Sequence, residues 1–261
     1  MSEVLTDIGG LQLTVTLAAS ALSVLITLLL MILWIADRKK TTGKPLHAGM
    51  LMNGIGFGFF PGIAVWIAFE VFIAGVNGRL VMEPLPLISW LSEAGRFAPC
   101  RIELAAALAG FIGISLWTIL RKRPLPDNGD LLLTCICLWA LIRLVTESLR
   151  DEPRDIFRYA SCGAMDFCLL VWTLRRGRQR FTLIRIAADL TAAAVCTVMI
   201  ILTMKGILSP GSEIAELAVI TGCGLLILIL ALLAGSDHRR LNPEGESGVS
   251  SDTIRIPGPA A

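Results

Sequence analysis

The chain has 261 residues, 55% of them hydrophobic and 17% charged, with a mean hydropathy of +0.73. Soluble domains carry about 25% charged residues, so a soluble domain is excluded and an integral membrane protein is expected. A net charge of +2, with arginines spread over separate loops, leaves no basic patch for nucleic acid.

Seven apolar stretches follow one another, at about 11–36, 48–76, 102–120, 131–149, 156–174, 181–205 and 213–234. A helix needs ~20 mostly apolar residues to cross a bilayer, so the expected fold class is all-α, a polytopic bundle of about seven transmembrane helices. Glu3 and Asp7 make the N-terminus acidic, and the first apolar run is too long for a signal-peptide core, so no cleavable leader is expected. Arg38, Lys39, Lys40 and Lys44 follow the first stretch, and Arg121, Lys122 and Arg123 the third. Arg175, Arg176, Arg178 and Arg180 follow the fifth, and Arg239 and Arg240 the seventh. Basic loops stay in the cytoplasm, which predicts an outside N-terminus and a cytoplasmic C-terminus. Residues 1–235 form the membrane domain. The segment 236–261, rich in Gly, Ser, Pro and Glu, is expected to be a disordered cytoplasmic tail.

Six of the seven cysteines (Cys135, Cys137, Cys162, Cys168, Cys196 and Cys223) lie in apolar segments, where a thiol acts as a small hydrophobe. With only His47 and His238 beside them, zinc-type ligand spacing is missing, and neither a structural metal nor a cofactor is expected. The second stretch holds four glycines and Pro61 between Asn53 and Gly62. Tight helix packing explains this, and so does a kinked helix lining a lipid-sized cleft. Glu70 lies in that stretch, one of the few acids at depth in the chain.

The fourth stretch, Leu131–Leu149, carries Arg143 and Glu147, with Arg150 just beyond its end. Their i, i+4, i+7 spacing puts all three on one helical face. At ~1.5 Å per residue Arg143 lies ~20 Å from Asp130, well inside a bilayer ~30 Å thick. A charge at that depth normally faces the bundle interior or a wet cavity; the plainer alternative is an Arg143–Glu147 pair that snorkels to the surface. Asp166, without a partner in its own helix, is expected to face Arg143.

From Arg121 to Arg154 the chain reads as a basic loop with prolines, a glycine, an apolar helix ending in R-x-x-x-E-x-x-R, and an acidic proline-containing tail. This resembles the last-but-one helix of bacterial prolipoprotein diacylglyceryl transferase, with Arg143, Glu147, Arg150 and Glu152-Pro153 matching in position. Residues 61–78 resemble the family stretch that opens P-G and closes N-G, at Asn77 and Gly78, and Trp90 follows at a suitable distance. Residues 96–103 are similar in outline to R-H-P-x-x-x-Y-E, with Pro99 and Glu103 as the matches and one residue fewer between them. The resemblance is collinear over roughly residues 9 to 175. The family's arginine in R-x-G-N-F-x-N-G falls on Val71, and its histidine in H-G-G falls near Thr14. Its two opening helices have no counterpart, and the helices at 181–205 and 213–234 follow its usual end.

The resemblance implies a multi-pass protein of the bacterial cytoplasmic membrane that moves a diacylglyceryl group from phosphatidylglycerol to the cysteine of an exported lipoprotein precursor. It implies catalytic roles for Arg143, Glu147 and Glu103, and a lipid-phosphate site at Arg143, Arg150, Asn77 and Gly78. Such a reaction needs a cation on the phosphate and a group that activates the thiol; Glu70, Glu103 and Arg101 are the residues at hand for the latter. The alternative is a catalytically inactive relative that binds anionic lipid or acts as a membrane scaffold. A transporter is the weaker third reading, because internal repeats and paired broken helices are not evident.

Overall fold

The computed structural model of the chain describes residues 2–43, 45–73, 92–93, 96–120, 128–151, 153–175, 180–208 and 211–241. Their elements are α1 (Ser2–Thr42), α2 (Ala48–Ile73), β1 (Ser92–Glu93), β2 (Arg96–Phe97), α3 (Pro99–Leu120), α4 (Asp130–Ser148), α5 (Asp155–Arg175), α6 (Arg180–Met204) and α7 (Glu213–Leu241). The all-α expectation holds apart from one two-residue antiparallel pair, Ser92 opposite Phe97 and Glu93 opposite Arg96. Helix α7 continues through Leu241, so residues 236–241 are helical where a disordered tail was expected. Residues 242–261 lie outside the described part.

Six helices, all but α5, are long and apolar enough to cross a membrane. The expected fifth span is a helix of 21 residues, but its charges (Asp155, Arg158, Asp166 and Arg175) lower its apolar content, and it turns Arg158, Ser161 and Thr173 into the protein. Large apolar side chains cover the outside of the bundle, for example Leu25 (61% exposed) and Ile119 (76% exposed). Patches of this extent are foreign to soluble monomers and suit a hydrocarbon solvent.

The helix with most neighbours is α4, which touches α2, α3, α5 and α7. Of its apolar window 56% is buried in the bundle, against 6% for α1. Its two sides enter two separate cores. Leu131 and Cys135 pack with Phe60, Ala64, Ala107 and Ile114 of α2 and α3; Leu133, Cys137, Ala140 and Leu144 pack with residues of α5, α6 and α7, among them Met165, Trp172, Ile200 and Ile227.

The glycines of α2 serve close packing. A Cβ on Gly58 would stand 2.6 Å from the Thr27 carbonyl oxygen, and one on Gly54 2.9 Å from Met31 Cγ. A Cβ on Gly62 would overlap Thr27 Oγ1 and lie 3.0 Å from the Ser23 carbonyl. These glycines are four apart, and their α1 partners run backwards, from Met31 through Thr27 to Ser23. The two helices are therefore an antiparallel small-residue zipper. Gly56 performs the same task on another face, where its Cβ would meet Leu132 N at 2.7 Å.

The start of α4 is fixed by polar groups from three segments. Gly129 adopts φ 83°, a left-handed conformation that costs glycine nothing. The first amide donors of a helix lack intrahelical partners. Here the Asp130 N–H donates to Asn128 Oδ1 (3.1 Å), and the Leu131 N–H donates to Asn53 Oδ1 of α2 (3.1 Å). The buried Asp130 carboxylate accepts from Asn128 Nδ2 (2.7 Å), Trp172 Nε1 (3.1 Å) and Arg175 Nη1 (3.1 Å). This lock joins α2, α4 and α5 at the end of the bundle opposite Arg143.

Candidate functional site

The other end of α4 meets the starts of α3 and α5. Glu103 lies one turn into α3 and Arg143 more than a turn before the end of α4, while Arg150 lies just past that end, where the helix dipole favours a cation. Glu103, on α3, bridges the two arginines that α4 sets seven residues apart. Arg143 Nη1 donates to Glu103 Oε2 at 2.6 Å, and Arg150 Nη2 stands 3.6 Å from Glu103 Oε1. The ring closes through Glu147. Its Oε2 is 3.0 Å from Arg150 Nε and 3.6 Å from Arg143 Nη2. The 3.0 Å contact is not aligned as a hydrogen bond, so the attraction there is coulombic.

Both carboxylates are fully buried, and Arg143 and Arg150 are 11% and 9% exposed. Isolated ions at such burial cost several kcal/mol each, which only pairing with further hydrogen bonds offsets. Those bonds are present. The Thr146 hydroxyl lies 2.6 Å from Glu103 Oε1 and donates to it, and the Arg154 backbone N–H donates to Glu147 Oε1 at 3.0 Å. Arg150 Nη2 also approaches Cys100 Sγ at 3.6 Å.

Among the described residues that line a cavity of about 390 Å³ between α2, α4 and α5, Arg143 is the one that carries a charge. Phe59, Ile63, Trp66, Trp139 and Phe157 supply most of the apolar lining. Its guanidinium carbon is 5.0 Å from the centroid of Phe157, a cation–π distance. Neighbouring charges at this end are engaged with one another: Arg96 with Asp151 at 3.0 Å, Arg158 with Asp155, and Lys205 with Asp155 at 3.6 Å. Tyr159, and then Asp155, hold the Lys205 ammonium above its ordinary pKa.

Four of the expected site residues, Arg143, Glu147, Glu103 and Arg150, thus meet in one cluster. Asn77, Gly78 and Trp90 lie outside the described residues, as do the side chains of Thr14 and Glu70. Arg101 is half-buried in the first turn of α3. Val71 is half-buried near the end of α2 and is not among the residues lining the cavity. Asp166 does not face Arg143. It accepts a hydrogen bond from Thr197 of α6 at 2.9 Å, because α5 packs against α6 on that side. Thr146 went unrecognised in the sequence, although it shares the face of Arg143 and Arg150. Phe157, Trp66 and Trp139 carry no signal beyond an apolar pattern.

These features define an all-α protein with six helices, among the described residues, long and apolar enough to cross a membrane, and with a buried four-charge ring beside an aromatic cavity. Searches for a matching family, a similar curated protein and a similar solved structure each find no match.

Proposed function

We propose that this protein binds an anionic phospholipid, phosphatidylglycerol or a close relative, in the cavity between α2, α4 and α5, and transfers its diacylglyceryl group to the cysteine thiol of an exported lipoprotein precursor, with glycerol phosphate leaving. The observation that carries this reading is the guanidinium of Arg143, the one charge among the described residues of an aromatic and aliphatic wall. Such a wall suits an acyl chain, and the fork of donors suits a phosphate. The cavity is within the ~300–1,000 Å³ of small-ligand sites, enough for a headgroup and part of one chain. Arg143 contacts the lipid, while Glu103 and Glu147 orient it. A second reading, lipid binding without turnover, draws support from Val71 and the stretch near Thr14, where the resemblance would put the transferases' arginine and histidine.

Two measurements test this. Purified protein should retain phosphatidylglycerol, and Arg143→Lys, which keeps the charge but loses the planar fork, should lower retention about tenfold at similar stability. Equal retention would make Arg143 purely structural. Expression in a bacterial strain depleted of its own transferase then separates the readings: rescue of growth identifies an enzyme, and failure with lipid retention intact identifies a binding protein.

The orientation that supports the proposal is an outside N-terminus with seven crossings in the bacterial cytoplasmic membrane. Helix α5 supplies the seventh, since it packs against α4, α6 and α7 and faces its polar groups inward. Labelling of cysteines introduced at Asn77, Asp151 and Ser209 should report the external face, and at Thr42, Asn128 and Gly177 the cytoplasmic face. A single swapped loop overturns the count.

A further inference from the structure

The ring that holds Arg143 is electrically closed, since two guanidinia and two carboxylates sum to zero. An anion that enters the cavity finds donors on Arg143, but the attraction of that charge is opposed by two carboxylates already within 2.6 and 3.6 Å of it. Coulomb energy falls only as the inverse of distance, so charges this close cancel most of one another's pull. Net attraction for an anion has to come from a cation outside the ring.

Arg154 has that position. Its guanidinium makes no ion pair among the described residues, and its carbon stands 5.8 Å from the centroid of Phe157. The same ring lines the cavity and carries Arg143 at 5.0 Å. Its backbone N–H is bonded to Glu147 Oε1, so the loop that presents Arg154 is fastened to the charge ring. Arg154 is exposed and stands outside the lining itself, against Phe157, a lining residue that is 37% exposed, so the pair lies at the edge of the cavity.

We propose that Arg154 is the second anion contact of this site: a lipid phosphate sits across Phe157, taking hydrogen bonds from Arg143 within and net charge from Arg154 at the edge. Resting on the lipid-binding reading above, this assigns the two arginines different tasks. Arg143 anchors a phosphate of any phospholipid, and Arg154 selects anionic headgroups over zwitterionic ones, whose own ammonium it repels. The occupant is a membrane lipid rather than free phosphate, because the wall beyond Arg143 is apolar.

The test equilibrates the purified full-length protein with equal amounts of phosphatidylglycerol and phosphatidylcholine of the same acyl chains, and measures both lipids retained. Wild type should enrich phosphatidylglycerol. Arg154→Gln should reduce that enrichment about tenfold with total lipid unchanged, and Arg154→Lys should preserve it. Added salt should weaken the wild-type preference, since an exposed charge is screened. Arg143→Lys should lower both lipids without changing their ratio. Unaltered selectivity in Arg154→Gln overturns the inference, as does displacement of bound lipid by millimolar glycerol phosphate. Wild type that holds phospholipid without preference overturns the role of Arg154 alone, whereas wild type that holds none overturns the lipid-binding reading with it.

Discussion

Replacing Glu103 by leucine should cost about 3–5 kcal/mol of stability, the usual consequence of removing one partner from a buried ionic cluster. The change leaves the Thr146 hydroxyl, Arg143 Nη1 and one face of Arg150 without the carboxylate they share. Glu103→Gln keeps the shape and one acceptor oxygen, so it should cost less. Pairing Glu103→Leu with Arg143→Met should recover part of the loss, because an apolar pair avoids the desolvation that a single orphaned guanidinium incurs. Thermal unfolding in one detergent reads all three, with a fall in Tm on the order of 10 °C for the leucine variant. A loss below about 1 kcal/mol would mean that Arg143 escapes to the surface and that the ring is dispensable.

The second large effect is expected at the α1–α2 zipper. Gly58→Ala places a methyl group 2.6 Å from the Thr27 carbonyl oxygen and 3.0 Å from its Cα. Both are backbone atoms, so no rotamer change relieves the clash and α1 must move away. Overpacking of this kind costs about 1–3 kcal/mol, occasionally more. At Gly62 the nearest obstacle is the Thr27 side chain, which can rotate, and Gly62→Ala should be milder. Gly113→Ala, with nothing within 4 Å of its Cβ, should leave stability unchanged or slightly raised through helix propensity. Unfolding midpoints that fail to rank in this order would contradict the close approach of α1 to α2.

Local signals made most of the architecture legible. Apolar length located the seven helices within a few residues at most ends. The i, i+4, i+7 spacing of Arg143, Glu147 and Arg150 foretold a single charged face. The texture of Asn53–Gly62 admitted two readings, and the steric fit of three glycines against α1 decides for packing on that face. The cavity lies alongside the same helix, on the face bearing Phe59, Ile63 and Trp66. The helix is thus both a zipper and a wall.

What the sequence determined by itself is what depends on near neighbours in the chain: membrane character, helix positions, and which charges share a side of α4. It could not supply the partner of that side. Glu103 is 40 residues from Arg143, and Asp130 meets Trp172 from 42 residues away. Such pairs follow from which helices pack together. Asp166 illustrates the difference: by composition it was a fair counter-ion for Arg143, yet the packing of α5 against α6 turns it to Thr197. The neutral sum of the ring is likewise a tertiary fact. One carboxylate from α3, added to the three charges of α4 and its end, converts a net cation into a closed cluster and leaves the attraction for an anion to a residue at its edge.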